Sequence, residues 1–269
     1  MHTLLIIDPQ NDFCDRQGTL FVPGAAEDMQ RLAGFVHSAR SQLGQIVITM
    51  DSHPSVAIER PTFWRRADGQ PVAPFTQITH AQVAAGEYAP IDTSLRSEAL
   101  SYLQALEAQG RYKLMVWPVH CVIGAWGHNI HGPVFDAVGE WERQVQRGAF
   151  KALKGQNPLT EQYSAVRAEV PRGDDPRTQT DHELIEKCRP RTGLLIVAGE
   201  AASHCVSATL EDLFEAFSDE EIRRVVLLED CMSPVTGFES HARTCLDRSV
   251  ALGARTLTSA RALIEIAAN

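Results

Sequence analysis

Short apolar runs alternate along the chain with stretches whose apolar positions recur every three or four residues. Thr3–Ile7 is the first run, and it stops at Asp8-Pro9. Met29, Leu32, Val36 and Leu43 then fall on one helical face, with Gly44 as a stop. Ile46–Met50 is a second buried-strand pattern, ending in Asp51. Leu95, Ala99, Leu103 and Leu106 mark a helix closed by Gly110, and Lys113–Trp117 reads as a third strand. Leu194–Gly199 is a strong strand run, and Val206, Leu210, Leu213, Phe214 and Phe217 follow at helical spacing. Arg224–Glu229 predicts a strand, residues from about 239 to 252 a helix, and Ala254–Thr258 a strand before the last helix.

Uninterrupted apolar strands need cover on both faces, and amphipathic helices supply it. With right-handed crossovers such a chain winds into an open three-layer α/β sandwich around a mainly parallel sheet. The stretch from Pro54 to about Pro90 has no periodicity and is too long for a plain loop, so it reads as an inserted cap. Pro171–Thr180 reads as an exposed acidic loop. The expectation is one domain over residues 1–269 with an insertion around 54–110.

Composition narrows the classes. The 269 residues are 44% hydrophobic and 22% charged, which excludes a disordered chain. Lys plus Arg is 25 against 34 for Asp plus Glu, a net charge of −9, which argues against nonspecific nucleic-acid binding. No apolar run reaches the ~18 residues of a spanning helix, so no membrane partner is expected. The N-terminus starts a strand at once, without a visible export signal. None of the six cysteines (Cys14, Cys121, Cys188, Cys205, Cys231, Cys245) forms a C-x-x-C pair, so neither a zinc ribbon nor a dithiol motif is predicted. Free thiols in a reducing cytoplasm are expected.

In open parallel sheets ligands bind beyond the carboxyl ends of the strands. There the chain delivers Asp8, then Asp51-Ser52-His53, then Trp117-Pro118-Val119-His120-Cys121, then Glu200-Ala201-Ala202-Ser203-His204-Cys205. A thiol opening a helix faces unpaired N–H groups and the positive dipole end, which favour a thiolate. Cys205 is thus a candidate nucleophile, or else a small buried hydrophobe. Asp8 is a candidate base or a turn residue. A cation would have to balance it, and Lys154 is the candidate. Asp51, His53 and His120 make a two-imidazole, one-carboxylate set suited to zinc, iron or manganese, or are ordinary loop residues. Phe13 and Trp117 either sandwich a flat ring or belong to the core. His128 and His131, three apart, read as structural.

The segments Leu4–Cys14, Val22–Ala25, Asp51–Pro54, Trp117–Val122, Lys154-Gly155 with Tyr163–Ala165, and Gly199–Val206 resemble those of nicotinamidases and their isochorismatase-like cysteine hydrolase relatives. The order and spacing agree over most of the chain. The resemblance implies the family's Rossmann-like αβα fold, with Cys205 as nucleophile, Asp8 as base and Lys154 as the third member of a triad. It implies a divalent metal on Asp51, His53 and His120, and Phe13 and Trp117 flanking the substrate. It also implies an oxyanion hole from the backbone N–H groups of Ala201 and Cys205, with a cis Glu200–Ala201 bond. Self-association as a homo-oligomer is expected by the same analogy. Glu59 stands where some nicotinamidases place a further His, and Ser203 where many relatives have Asp.

The expected activity is hydrolysis of a small planar carboxamide through a thioester, nicotinamide to nicotinate plus ammonia being the first choice. The alternatives are another amide, ureide or carbamoyl compound, or a non-catalytic binding protein on the same scaffold. A vinyl-ether-cleaving isochorismatase does without the thiol, so Cys205 argues against it.

Overall fold

The computed structural model describes residues 1–268. Strand β1 (His2–Ile7) leads through the one-turn helix α1 (Asn11–Cys14) and the long α2 (Ala25–Ala39) to β2 (Leu43–Asp51). The next segment holds β3 (Trp64–Arg66), β4 (Thr76–Ile78), α3 (His80–Ala85), β5 (Tyr88–Pro90), α4 (Arg96–Gln109) and β6 (Leu114–Val116). Helix α5 (Gly132–Val145), β7 (Phe150–Lys154) and α6 (His182–Cys188) follow. The last part alternates strand and helix: β8 (Leu195–Gly199), α7 (Cys205–Ala216), α8 (Asp219–Ile222), β9 (Val225–Leu228), α9 (Glu239–Ala251), β10 (Arg255–Leu257) and α10 (Ser259–Ala268).

Six strands form one all-parallel sheet in the order β10-β9-β8-β1-β2-β7. The two central strands are apolar throughout their middles because both faces are covered, and Leu4–Ile7 and Leu195–Ala198 are fully buried. From β1 the chain winds one way to β2 and β7; from β8 it winds the other way to β9 and β10. Right-handed crossovers running in opposite directions place their helices on opposite faces. Accordingly α2 packs against α5 and α10, while α7 packs against α9. The winding reverses between β1 and β8, and the crevice beyond their carboxyl ends is where this architecture binds ligands.

Three expectations are corrected. Leu43 does not end a helix: α2 stops at Ala39, and Leu43 opens β2 by pairing with His2. The run near Lys113–Trp117 is a strand, but it pairs antiparallel with β4 outside the main sheet. The place beside β2 belongs to β7, whose sequence FKALK alternates because an edge strand is covered on one face. The 171–180 segment is only partly an exposed loop. Asp175 and Thr178 are buried, and Asn157 Nδ2 donates to Asp175 Oδ2 at 2.8 Å, pinning it down.

The insertion builds an apolar cluster of its own, in which Ile58, Phe63, Trp64, Ile78 and Leu103 pack with Leu114 and Val116 of β6. Trp64 is fully buried and its indole N–H donates to the Ile58 carbonyl at 2.6 Å. Trp64→Ala is expected to cost about 3–5 kcal/mol by leaving a cavity, to be read as a lower denaturation midpoint in urea. This cluster bears on the site because Trp117 N–H donates to the Glu59 carbonyl at 2.8 Å, which ties the insertion to the segment carrying His120.

Candidate active site

Three strand ends meet at the reversal point. Strand β1 hands over Asp8, in a left-handed conformation with φ +43°. Strand β7 ends in Lys154, and the first residue of α7 is Cys205. Gly199, at φ +122°, lets β8 press against β1: a Cβ there would lie 2.0 Å from the Ile7 carbonyl oxygen. Gly155 does the same beside the ammonium, since a Cβ would lie 2.5 Å from His53 Cε1.

The sequence's carboxylate, ammonium and thiol are thereby in contact. Lys154 Nζ lies 3.1 Å from Asp8 Oδ2, 2.9 Å from Asp51 Oδ1 and 3.5 Å from Cys205 Sγ. It also donates to the Gln162 carbonyl at 3.1 Å. Lys154 thus bridges the thiol and Asp8, and Thr49 Oγ1 donates to Asp8 Oδ1 at 2.5 Å. Burial pushes the Cys205 thiol well above its ordinary range; Lys154 pulls it down, and Asp8 and Asp51 push it up again. Burial likewise raises Asp8, against the pull of Lys154. Lys154 stays charged although burial opposes it, because Asp51 and Asp8 hold its pKa well above the usual lysine range. The arrangement therefore rests as a thiol beside a carboxylate able to take its proton, with a fixed cation touching both.

Asp51, His53 and His120 are also brought together, with donor atoms within 4.8 Å of one another. Asp51 Oδ1 lies 2.8 Å from His53 Nε2 and Oδ2 lies 3.2 Å from His120 Nε2. His120 Nδ1 meets both the Pro118 carbonyl at 2.7 Å and the Arg60 guanidinium at 2.5 Å, which together turn Nε2 toward Asp51. Gln10 clamps Asp51 by donating to its carbonyl at 2.7 Å and accepting from its N–H at 2.7 Å. Charge supports the fit. Burial opposes protonation of His53, but Asp51 outweighs it and holds the imidazole at about 9. Burial and then Glu59 push Glu161 up to about 8. At neutral pH two protons thus occupy a buried cluster that a divalent cation could neutralise instead. The donor set, one carboxylate and two imidazoles, suits such an ion.

Phe13, Trp117, His120, Tyr163, His204 and Cys205 line one cavity of about 30 Å³. Trp117 is fixed by an indole N–H donated to Tyr163 Oη at 2.9 Å, and His204 packs edge-on against it with ring centres 5.1 Å apart. The Glu200–Ala201 peptide is cis, as expected. Among the described residues, no protein group accepts from the N–H of Ala201 or Cys205, so both are free for a ligand oxygen. A larger cavity of about 670 Å³ shares the walls Trp117, Tyr163 and His204 but does not reach the thiol.

Of the histidines read as structural, His128 Nε2 meets Ser52 Oγ at 2.8 Å and His131 Nδ1 meets Asn11 Oδ1 at 3.2 Å. All six cysteines are free and buried. Sequence reasoning missed Thr49, Gln10, Arg60 and Glu161. Arg60 is fully buried, lies 3.1 Å from Glu59 Oε1 and donates to the Pro118 carbonyl at 2.7 Å. Glu59 Oε1 stands 3.2 Å from His53 Nδ1, on the ring edge away from Asp51, and with His53 and Glu161 makes a second group of donor atoms within 4.8 Å of one another. The resemblance marked the position of Glu59, but no pattern announces Arg60 beside it.

The chain is similar to known proteins. It is 29% identical over 138 residues to the nicotinamidase of Saccharomyces cerevisiae, a match covering 51% of this chain and 52% of that one. The matched stretch thus spans about half the length of this curated relative. The fold is shared over nearly the whole chain with the solved structure of the yeast nicotinamidase Pnc1p, at 21% identity and a TM-score of 0.64, covering 96% of this chain and 99% of that chain. The Acinetobacter baumanii nicotinamidase/pyrazinamidase gives 18% identity and 0.63, covering 97% of each chain. The pyrazinamidase of Pyrococcus horikoshii, solved in complex with zinc, gives 18% and 0.56, covering 96% of this chain and 98% of that one. No protein-family model matches the chain.

Proposed function

We propose that this chain, which is nicotinamidase-like in sequence and in its isochorismatase-like hydrolase fold, is a cysteine amidohydrolase of small planar carboxamides, nicotinamide first. The observation that carries the reading is the contact of Lys154 with both Asp8 and Cys205 at the start of α7, where Cys205 opens onto a cavity walled by aromatic rings. Asp8 takes the thiol proton and the sulfur attacks the amide carbon. The carbonyl oxygen gathers negative charge beside the N–H groups of Ala201 and Cys205. Protonated Asp8 returns its proton to the leaving nitrogen, ammonia departs, and a thioester remains on Sγ. Asp8 then takes a proton from water, whose oxygen adds to the thioester carbon; the acid is released and the thiol restored. Lys154 keeps a positive charge against the carboxylate and sulfur throughout. Phe13 and Trp117 flank the ring. Incubation with nicotinamide tests the reading, ammonia and nicotinate in equal amounts being the expected products; no ammonia from any small amide or ureide would leave the binding-protein alternative.

Asp51, His53 and His120 would hold a divalent ion, zinc, iron or manganese, zinc being the ion of the Pyrococcus horikoshii structure. Bound there, it supplies Lewis-acid charge to a donor atom of the substrate or its water. Dialysis against a chelator is expected to lower turnover by at least about tenfold, consistent with several kcal/mol of such stabilisation, and added zinc, iron or manganese to restore it. Full turnover by protein shown metal-free by elemental analysis would remove the ion from the reaction.

A further inference from the structure

Glu200 is fully buried directly before Ala201. One of its oxygens, Oε2, accepts from the Ser233 N–H at 3.0 Å. The other, Oε1, is met by no donor, and the carboxyl of Asp28 on α2, itself 3% exposed, binds the same Ser233, so two buried carboxyl groups meet on one residue. Two buried carboxyl groups sharing one site cannot both ionise without strong repulsion, and a proton held by one of them relieves it. Asp28 is already engaged: Ser233 Oγ donates to its Oδ2 at 2.5 Å and Arg31 to its Oδ1 at 2.5 Å. Ser233 closes the circuit, since its carbonyl accepts from the Ala202 N–H at 2.8 Å. The turn that presents the Ala201 N–H is thus tied to α2 and to the loop after β9 by this one cluster.

We propose that Glu200 is a positioning residue that stays neutral, sharing a single proton with Asp28, and that this acid–carboxylate pair holds the oxyanion turn in place. The role rests on the proposed amide hydrolysis, but the shared proton does not. Burial and then the Asp28 charge hold the Glu200 carboxyl well above the usual carboxylate range. The other titratable groups facing it are Arg31 from α2, Cys14 from α1 and, beside Asp28, Cys231 from the loop after β9. The sign of the pH effect follows. A carboxyl whose pKa is raised by folding contributes fully below its unfolded value of about 4.3 and loses that contribution as pH rises toward its folded value. Ionised at high pH, Glu200 would repel Asp28 and release the turn.

The test uses Glu200→Gln, whose amide can donate to Asp28 and accept from Ser233 without titrating, with Glu200→Ala and Asp28→Asn beside it. The Tm of Glu200→Gln relative to the wild type is expected to rise steadily from pH 5 to pH 9. Its kcat on nicotinamide at pH 7 should stay within about twofold of wild type. Glu200→Ala should lose about 10- to 100-fold in kcat, as when an oxyanion donor is misplaced, with KM nearly unchanged. Asp28→Asn, able to donate to an ionised Glu200, should flatten the Tm profile as Gln does. A pH-independent Tm difference, or a kcat for Glu200→Gln as low as that of Glu200→Ala, would overturn the proposal. If the wild type cleaves no amide, the proposed function falls while the thermal profile still decides the shared proton.

Discussion

Cys205→Ala is expected to abolish amide hydrolysis, with a loss in kcat of about 10⁴-fold or more, because no other group near the cavity can form the acyl intermediate. The other five cysteines are buried apart from Lys154 and line no part of the cavity. The variant should fold normally, since an alanine leaves the first turn of α7 intact and removes a single sulfur at the cavity wall. Rapid-quench mass spectrometry gives the positive half of the experiment: wild-type protein mixed with substrate should show a mass increment on the peptide containing Cys205, and the Cys205→Ala protein none. Turnover by the variant at the wild-type rate would mean that the thiol is only part of the packing.

Asp8→Asn is the second large effect, expected to lower kcat by about 10²- to 10⁴-fold, the range of a general base, with KM little changed. The substitution is isosteric, so Thr49 Oγ1 and the Asp8 N–H keep their places. The direction of the thiol chemistry separates a base from a mere brace. Asp8 raises the Cys205 pKa while Lys154, 3.5 Å from the sulfur, lowers it. Removing the carboxylate charge leaves Lys154 unopposed on that side, so more thiolate exists at a given pH. Alkylation of Cys205 by iodoacetamide at pH 7 should therefore become faster while amide turnover becomes slower. Slower alkylation together with slower turnover would show a general collapse of the site and deny Asp8 its role as proton acceptor.

The parts of this site that could be read from sequence are those that punctuate a pattern. Asp8, Asp51 and the Gly199–Cys205 turn each end an apolar run, and a parallel sheet makes the ends of such runs neighbours. Lys154 is different. It closes an edge strand whose alternation of exposed and buried residues is short, and only the Lys-Gly step flagged it. Trp117 and His120 reached the cavity for a reason other than the one expected. Strand β6 lies outside the main sheet, and the segment after it is carried in by the insertion, through the Glu59 carbonyl and Arg60. Glu161 and Glu200 were silent because a buried carboxyl is legible only from what surrounds it, and the partners that decide its charge, Glu59 and Asp28, lie about 100 and 170 residues away in sequence.

The size of the cavity beside Cys205 has a kinetic consequence. About 30 Å³ is room for roughly two water molecules, so an aromatic ring seated beside the thiol has to press against the side chains that wall the cavity. Entry of the amide and departure of the acid are therefore expected to be faster in a variant that shortens Trp117, Tyr163 or His204. Such a vestibule would choose its visitors by the time they take to settle as well as by how well they fit once inside.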